Sequence, residues 1–258
     1  MPAKPLILLT NDDGVDSPGI QAAADVLAPL GELWIVAPDG ERSSCSHAMT
    51  LTEPVFCKKV AKRTYAVSGT PGDAAYIAYS DILPRRPKLL VSGINRGPNM
   101  GKDTFYSGTV AAAREAGFRG LRGLAVSLVE GDDYSHAAKV VDQLARLMLG
   151  RRCPFPAGTG PGVLLNVNVP GGRPKGVSWT RLGRREYGDH VIRRKGPKKN
   201  TYYWINGGPL PSPSPRGTDV HAVRHGMVSI TPLATDLTDL EAHRTLDGDF
   251  ARKVKIEI

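Results

Sequence analysis

The sequence predicts an α/β fold: a Rossmann-like, mostly parallel sheet with helices on both faces, followed by a β-rich C-terminal extension used in oligomerisation. Three observations lead there. Short all-apolar runs, the mark of strands covered on both faces, alternate with segments of helical apolar spacing through the first 170 residues. Such alternation implies parallel strands joined by crossover helices. After Pro170 the pattern breaks into short strand candidates separated by Gly- and Pro-rich loops such as GGPLPSPSPRG. The chain is therefore divided into a catalytic core over 1–170 and an extension over 171–258. The extension holds a basic hairpin or arm and a segment that returns to the core or pairs with a second subunit.

The elements follow in order. Leu6 to Thr10 is a short apolar strand. Ser17-Pro18 offers an N-cap with proline at the first helical position, and Ile20 to Leu27 carries apolar residues at helical spacing. Leu33 to Ala37 is a second buried strand, closed by Pro38-Asp39-Gly40, and Val55 to Lys59 with Thr64 to Val67 reads as a hairpin. Thr70-Pro71-Gly72 repeats the cap-then-proline signature and starts a helix through about Tyr79. Leu89 to Ser92 is a strand, and Ser107-Gly108-Thr109 opens an Ala-rich helix over Val110 to Ala116, ended by Gly117. Strands at Leu124 to Ser127 and Val163 to Val169 flank a helix at Tyr134 to Leu149. Tyr202 to Ile205 and Met227 to Ile230 are the strand candidates of the extension.

Composition excludes several classes. At 258 residues with 41% hydrophobic and 23% charged content, the chain buries a full core without staples. No apolar run approaches the roughly 20 residues that span a bilayer, and the N-terminus lacks a signal peptide's apolar stretch and cleavage site. Cys45, Cys57 and Cys153 form no C-x-x-C pair, which argues against a disulfide framework or structural zinc and for a reduced cytoplasm. The net charge of +9 is concentrated: Arg181 to Lys199 holds eight Lys or Arg against two acids, two-thirds of the excess. This is either a solvated basic arm that attracts anionic substrates or a nucleic-acid-binding segment. The scarcity of aromatic residues within it favours the arm.

The chemistry lies at the strand ends, because open parallel sheets bind ligands beyond the carboxyl ends of their strands. Asn11-Asp12-Asp13-Gly14 follows the first strand, the loop Ala37 to His47 follows the second, and SGINRGPNMG, Ser92 to Gly101, follows the Leu89 strand. Two adjacent carboxylates without a basic neighbour are costly to bury. Converging carboxylates, hydroxyls and amide carbonyls form the all-oxygen set that suits Mg²⁺ or Mn²⁺, so a divalent cation supplies the missing positive charge. The plain alternative is a turn or helix cap at Asp12-Asp13-Gly14. Ser107-Gly108-Thr109 at a helix start is a ready anion site, or a simple N-cap. Metal and anion pocket on one sheet edge point to phosphate ester chemistry.

The segments ILLTNDDGVDSPGI, VAPDGERSSCSHAMTL, GTPGDAA, VSGINRGPNMGKDTFYSGTVAAAREA and LLNVNVP, in this order, closely resemble the survival protein E (SurE) family. The resemblance runs from about Leu6 to Pro170 and resumes in GTDVHAV and MVSITPL. It implies a metal-dependent 5′/3′-nucleotidase acting on nucleoside monophosphates, and on short polyphosphate in some members. It implies that Asp12, Asp13, Ser43 and Asn95 hold one divalent metal ion per subunit, and that Asn99, Ser107, Gly108 and Thr109 form the phosphate pocket. It further implies a homodimer or homotetramer made through the C-terminal extension. His47 and Ala74 depart from the family's frequent Asn and Cys; neither is an implied ligand, and His47 is either a substrate contact or plain surface.

The expected mechanism is in-line attack of water on phosphorus, with Asp12 or Asp13 positioning that water. Direct carboxylate attack suits the D-x-D spacing of haloacid-dehalogenase phosphatases rather than adjacent acids. A nucleic-acid-binding module would place function in 181–199 instead. A dinucleotide oxidoreductase lacks its G-x-G-x-x-G after the first strand.

Overall fold

A computed structural model describes residues 4–156, 162–188, 190–197, 200–205 and 207–245. Asp189, Lys198 and Lys199 of the basic segment, and the extension beyond Thr245, lie outside the described residues. Within them runs a nine-stranded mixed sheet with helices on both faces, the α/β arrangement the sequence predicts.

Six strands are parallel neighbours in the order β4 (Thr64–Val67), β2 (Glu32–Pro38), β1 (Leu6–Thr10), β5 (Leu89–Arg96), β6 (Arg122–Leu128) and β7 (Val163–Val169). β3 (Cys57–Ala61) pairs antiparallel with β4 as the expected hairpin. Leu6, Ile7, Leu8 and Leu9 are fully buried because both faces of β1 are covered. α1 (Pro18–Leu27) and α5 (Ser135–Leu149) seal one face, with Ile7, Leu9, Ile20, Leu27, Val141 and Val167 in that core. α2 (Pro71–Ile77) and α4 (Gly108–Phe118) seal the other over Leu8, Val36, Leu90, Val110 and Leu164. Each fully buried Leu or Ile contributes about 1.5–3 kcal/mol relative to exposure.

Three boundaries differ from expectation for physical reasons. β5 continues past Ser92 to Arg96 through a register shift, so Asn95 stands on the strand itself. α4 does not stop at Gly117, because that glycine is buried where a Cβ would sit 2.6 Å from Thr235 Cγ2; the residue is needed for packing and does not end the helix. α2 ends at Ile77, and one π-helical turn, Ala78–Ile82, completes the segment.

Beyond Pro170 the chain rejoins the sheet. β13 (Met227–Pro232) pairs antiparallel with β7, and β8 (Gly176–Trp179) pairs parallel with β13 at the edge. Between β8 and β13 lie two small ribbons. β10 (Val191–Lys195) pairs with β11 (Thr201–Ile205), and β9 (Glu186–Tyr187) pairs with β12 (Pro209–Leu210). The short helix α6 (Asp219–Arg224) then leads into β13. The basic segment thus forms one strand of a hairpin plus a stretch laid against the core.

Candidate active site

The site forms where β1, β2 and β5 end. β1 stops at Thr10 and the chain turns at Gly14, whose φ of +100° is a left-handed conformation that favours glycine. The backbone N–H of Arg42 donates to the Asp12 carbonyl at 2.7 Å, which ties the loop after β2 to the end of β1 and brings Ser43 alongside. Arg42 itself is held by Asp39 at 2.8 Å and the Ser68 carbonyl at 3.1 Å. Farther along, Ser46 donates its hydroxyl to the Phe105 carbonyl at 2.5 Å, with Ser44 and Ser46 both at positive φ. The loop is thus fixed at both ends.

Asp12 is 5% exposed, and its Oδ1 accepts the Thr109 hydroxyl at 2.5 Å. Burial pushes its carboxyl above the ordinary range, against the pull of the Thr109 hydroxyl and amide. Asp13 is half-buried and accepts the Arg96 backbone N–H at 3.2 Å. Burial, with the Asp12 charge adding to it, pushes the Asp13 carboxyl up to about 6. Neither carboxylate has an ion-pair partner among the described residues.

The oxygen donors suit a hard cation. Asp12 and Asp13 each keep one carboxylate oxygen without a hydrogen bond among those described, and Ser43 turns its hydroxyl to Glu41 at 2.7 Å. Asn95 donates its Nδ2 to the Gly97 carbonyl at 2.8 Å, which leaves its Oδ1 facing outward as a ligand atom. Among the described residues no group of three His, Cys, Asp or Glu gathers as a metal cluster. The set here is two carboxylates, a hydroxyl and an amide, which is oxygen chemistry of the Mg²⁺ or Mn²⁺ kind.

Of the residues singled out from sequence, Asp12, Ser43, Asn95, Asn99 and Ser107 line one cavity of about 690 Å³. Asp13 lines an adjoining cavity of about 480 Å³, and Ser43 and Arg96 border both. Gly108 and Thr109 are buried behind the wall and line neither. A Cβ on Gly108 would lie 3.0 Å from Asp12 Cβ, 2.9 Å from Cys45 Sγ and 3.0 Å from Pro71 Cγ. Glycine there lets the start of α4 approach the carboxylate. Ser107 caps α4 by accepting the Val110 N–H at 3.1 Å, leaving the amides of the first turn at the cavity edge. His47 is outside the cavity: it bonds Glu115 at 2.8 Å and stacks on Phe118.

Several participants escaped the sequence reading. Asn166 and Asn168 on β7 donate to the Asn99 carbonyl at 2.8 and 3.0 Å, and Asn168 Oδ1 accepts the Asn99 N–H at 2.9 Å. Ser127 accepts the Asn99 Nδ2 at 2.9 Å. Two asparagines at alternate positions of an otherwise apolar strand were the available signal. Arg96, Lys102, Arg185 and Tyr187 also line the larger cavity. Arg185 pairs with Asp103, which accepts the Tyr187 hydroxyl at 2.9 Å, and the Arg185 and Lys102 cations each lie 5.4 Å from the Tyr187 ring. Burial and that hydrogen bond push the Tyr187 phenol up to about 12.

Comparison with known proteins gives a consistent answer. The family model described as survival protein SurE matches residues 7–189. The chain is 44% identical to the 5′-nucleotidase SurE of Syntrophotalea carbinolica over 241 residues, covering 93% of this chain and 96% of that protein. It is 46% identical to the 5′-nucleotidase SurE of Symbiobacterium thermophilum, covering 90% and 93%. The crystal structure of the SurE protein from Aquifex aeolicus superposes with a TM-score of 0.80 at 37% identity, covering 94% of this chain and 98% of that one.

Proposed function

The chain belongs to the SurE family of 5′-nucleotidases, and from that membership we propose that it hydrolyses nucleoside 5′- and 3′-monophosphates to nucleoside and inorganic phosphate with one divalent metal ion, Mg²⁺ or Mn²⁺, per subunit. Nucleotidase activity follows from the family; the metal, the 3′ activity and any action on short polyphosphate are the finer reading. The observation that carries it is the convergence of Asp12, Ser43 and Asn95 on a cavity whose far wall is the start of α4, with Asp13 immediately beside it.

Asp12, Asp13, Ser43 and Asn95 would hold the ion, which when bound supplies charge stabilisation at the phosphoryl oxygens. Ser107 and the first amides of α4 receive those oxygens, and Asn99, fixed from β7, shapes the wall. Arg96, on the border of both cavities, adds positive charge where the transferring group gathers negative charge. A carboxylate oxygen of Asp12 or Asp13 orients the attacking water and accepts its proton. Thr109 serves as a positioning residue that fixes the Asp12 rotamer. The extension would join subunits into a homodimer or homotetramer.

The test is phosphate release from a panel of nucleoside monophosphates with Mg²⁺, Mn²⁺ or chelator, for the wild type, Asp12→Asn and Asp13→Asn. Metal-dependent turnover that falls at least a hundredfold in both folded variants is the expected result. Full activity in either variant, or in chelator, removes the assignment.

A further inference from the structure

The larger cavity runs on to an exposed surface of the extension. Val191 and Ile205 oppose each other across the β10–β11 hairpin, and both line the cavity. Side chains alternate between the faces of a strand, so the next cross-strand pairs on that face are Arg193–Tyr203 and then Lys195–Thr201. All six residues are exposed, Tyr203 with 58% of its surface in solvent. Arg193 and Lys195 have no ion-pair partner among the described residues. At about 3.4 Å per residue, Lys195 stands about 14 Å beyond Val191. Arg96, Lys102 and Arg185 stand at the inner end of the same line, with His190. The opposite hairpin face, Ile192–Trp204 and Arg194–Tyr202, does not line the cavity.

The surface therefore leads outward from the phosphate site as an apolar rung, a cation beside an aromatic ring, and a second cation. Spaced cations with a stacking ring between them suit a chain of repeating phosphates that carries bases. A mononucleotide occupies the cavity alone. We infer that this hairpin face is a track for single-stranded oligonucleotides, whose terminal phosphate enters the cavity and is removed there.

The inference rests on the phosphatase reading and extends its substrate class. The reaction is the same monoester hydrolysis. The oxygen of water bonds to phosphorus, the bond from phosphorus to the terminal sugar oxygen breaks, and that oxygen takes up a proton as inorganic phosphate leaves.

The experiment compares phosphate release from 5′- and 3′-phosphorylated tetranucleotides, from AMP and from linear polyphosphate, all with Mn²⁺. The proteins are the wild type, the double variant Arg193→Gln/Lys195→Gln, and Tyr203→Ser, each sized by light scattering. The expected result is a fall of at least about fivefold in kcat/KM on a tetranucleotide for both variants, with AMP unchanged. The slope of log kcat/KM against log salt should also flatten by about one in the double variant. Turnover of AMP without turnover of either tetranucleotide overturns the inference and leaves the phosphatase reading intact. So do variants that match the wild type on tetranucleotides, or that lose only polyphosphate. Equal losses on AMP and tetranucleotide with a changed subunit number also overturn it, and make the hairpin a subunit contact. If AMP itself is not hydrolysed, the phosphatase reading fails first and the inference falls with it.

Discussion

Thr109 is fully buried, yet its hydroxyl is committed to one carboxylate oxygen of Asp12. A hydrogen bond to a charged acceptor is worth about 1.5–3 kcal/mol. Thr109→Val keeps the shape and removes the donor, so kcat/KM on a nucleoside monophosphate should drop on the order of ten- to a hundredfold. Thr109→Ser, which keeps a hydroxyl, should recover most of the loss. Parallel kinetics on the two variants check this; equal defects would mean that packing, rather than the hydroxyl, is what Asp12 needs. At this scale the acids were readable because an apolar run delivers them to a sheet edge with no local counter-charge. Thr109 was readable as a helix start, but its tie to Asp12 crosses 97 residues of chain. Asn166 and Asn168 were hidden for the same reason: they serve the backbone of Asn99, 67 and 69 residues away.

Among the elements, α4 and α2 bear most directly on the site. In an exposed helix Gly→Ala is stabilising by about 1 kcal/mol. At Gly108 the added methyl would meet Asp12, Cys45 and Pro71 within 3.0 Å, from three different segments. Gly108→Ala should therefore bring no gain in Tm and at least a tenfold loss of kcat, measured by melting and phosphate release. α2 begins with a capping box in which Thr70 and Asp73 bond reciprocally, and Asp73 also accepts the Thr50 N–H and hydroxyl at 2.9 and 2.6 Å. Burial works against the Asp73 charge, but these hydrogen bonds outweigh it and hold the carboxyl below its ordinary 3.8. A folded-state pKa below the unfolded one stabilises the fold above the unfolded value, and the benefit disappears as pH falls through the folded one. Asp73→Asn should cost on the order of 1–2 kcal/mol at pH 6. Urea unfolding at stepped pH should show that gap narrowing once the pH drops below 3.8. The caps and prolines of α1, α2 and α4 were visible in the sequence, whereas the extension of β5 to Asn95 depends on pairing with β6 and was not.

Across the whole molecule, the last strand of the sheet is threaded between two earlier ones: β13 lies between β7 and β8. Periodicity found β13 but could not assign its neighbours, since Val228 and Ile230 would satisfy any apolar face. It passed over β8, whose residues alternate between half-buried and exposed at the sheet edge. The net positive segment was visible as composition, while its division into cavity wall at Arg185 and Tyr187 and projecting hairpin beyond was not. Because β8 and β13 are adjacent parallel strands, everything between Trp179 and Met227 is an insertion anchored at both ends in one sheet. Such a segment behaves as a sewn-in patch rather than a loose tail. A protease that nicks the hairpin tip should leave two pieces that travel as a single species on a native sizing column and separate only in denaturant. The same anchoring leaves the patch free to be lengthened, shortened or exchanged while the weave beneath it stays closed.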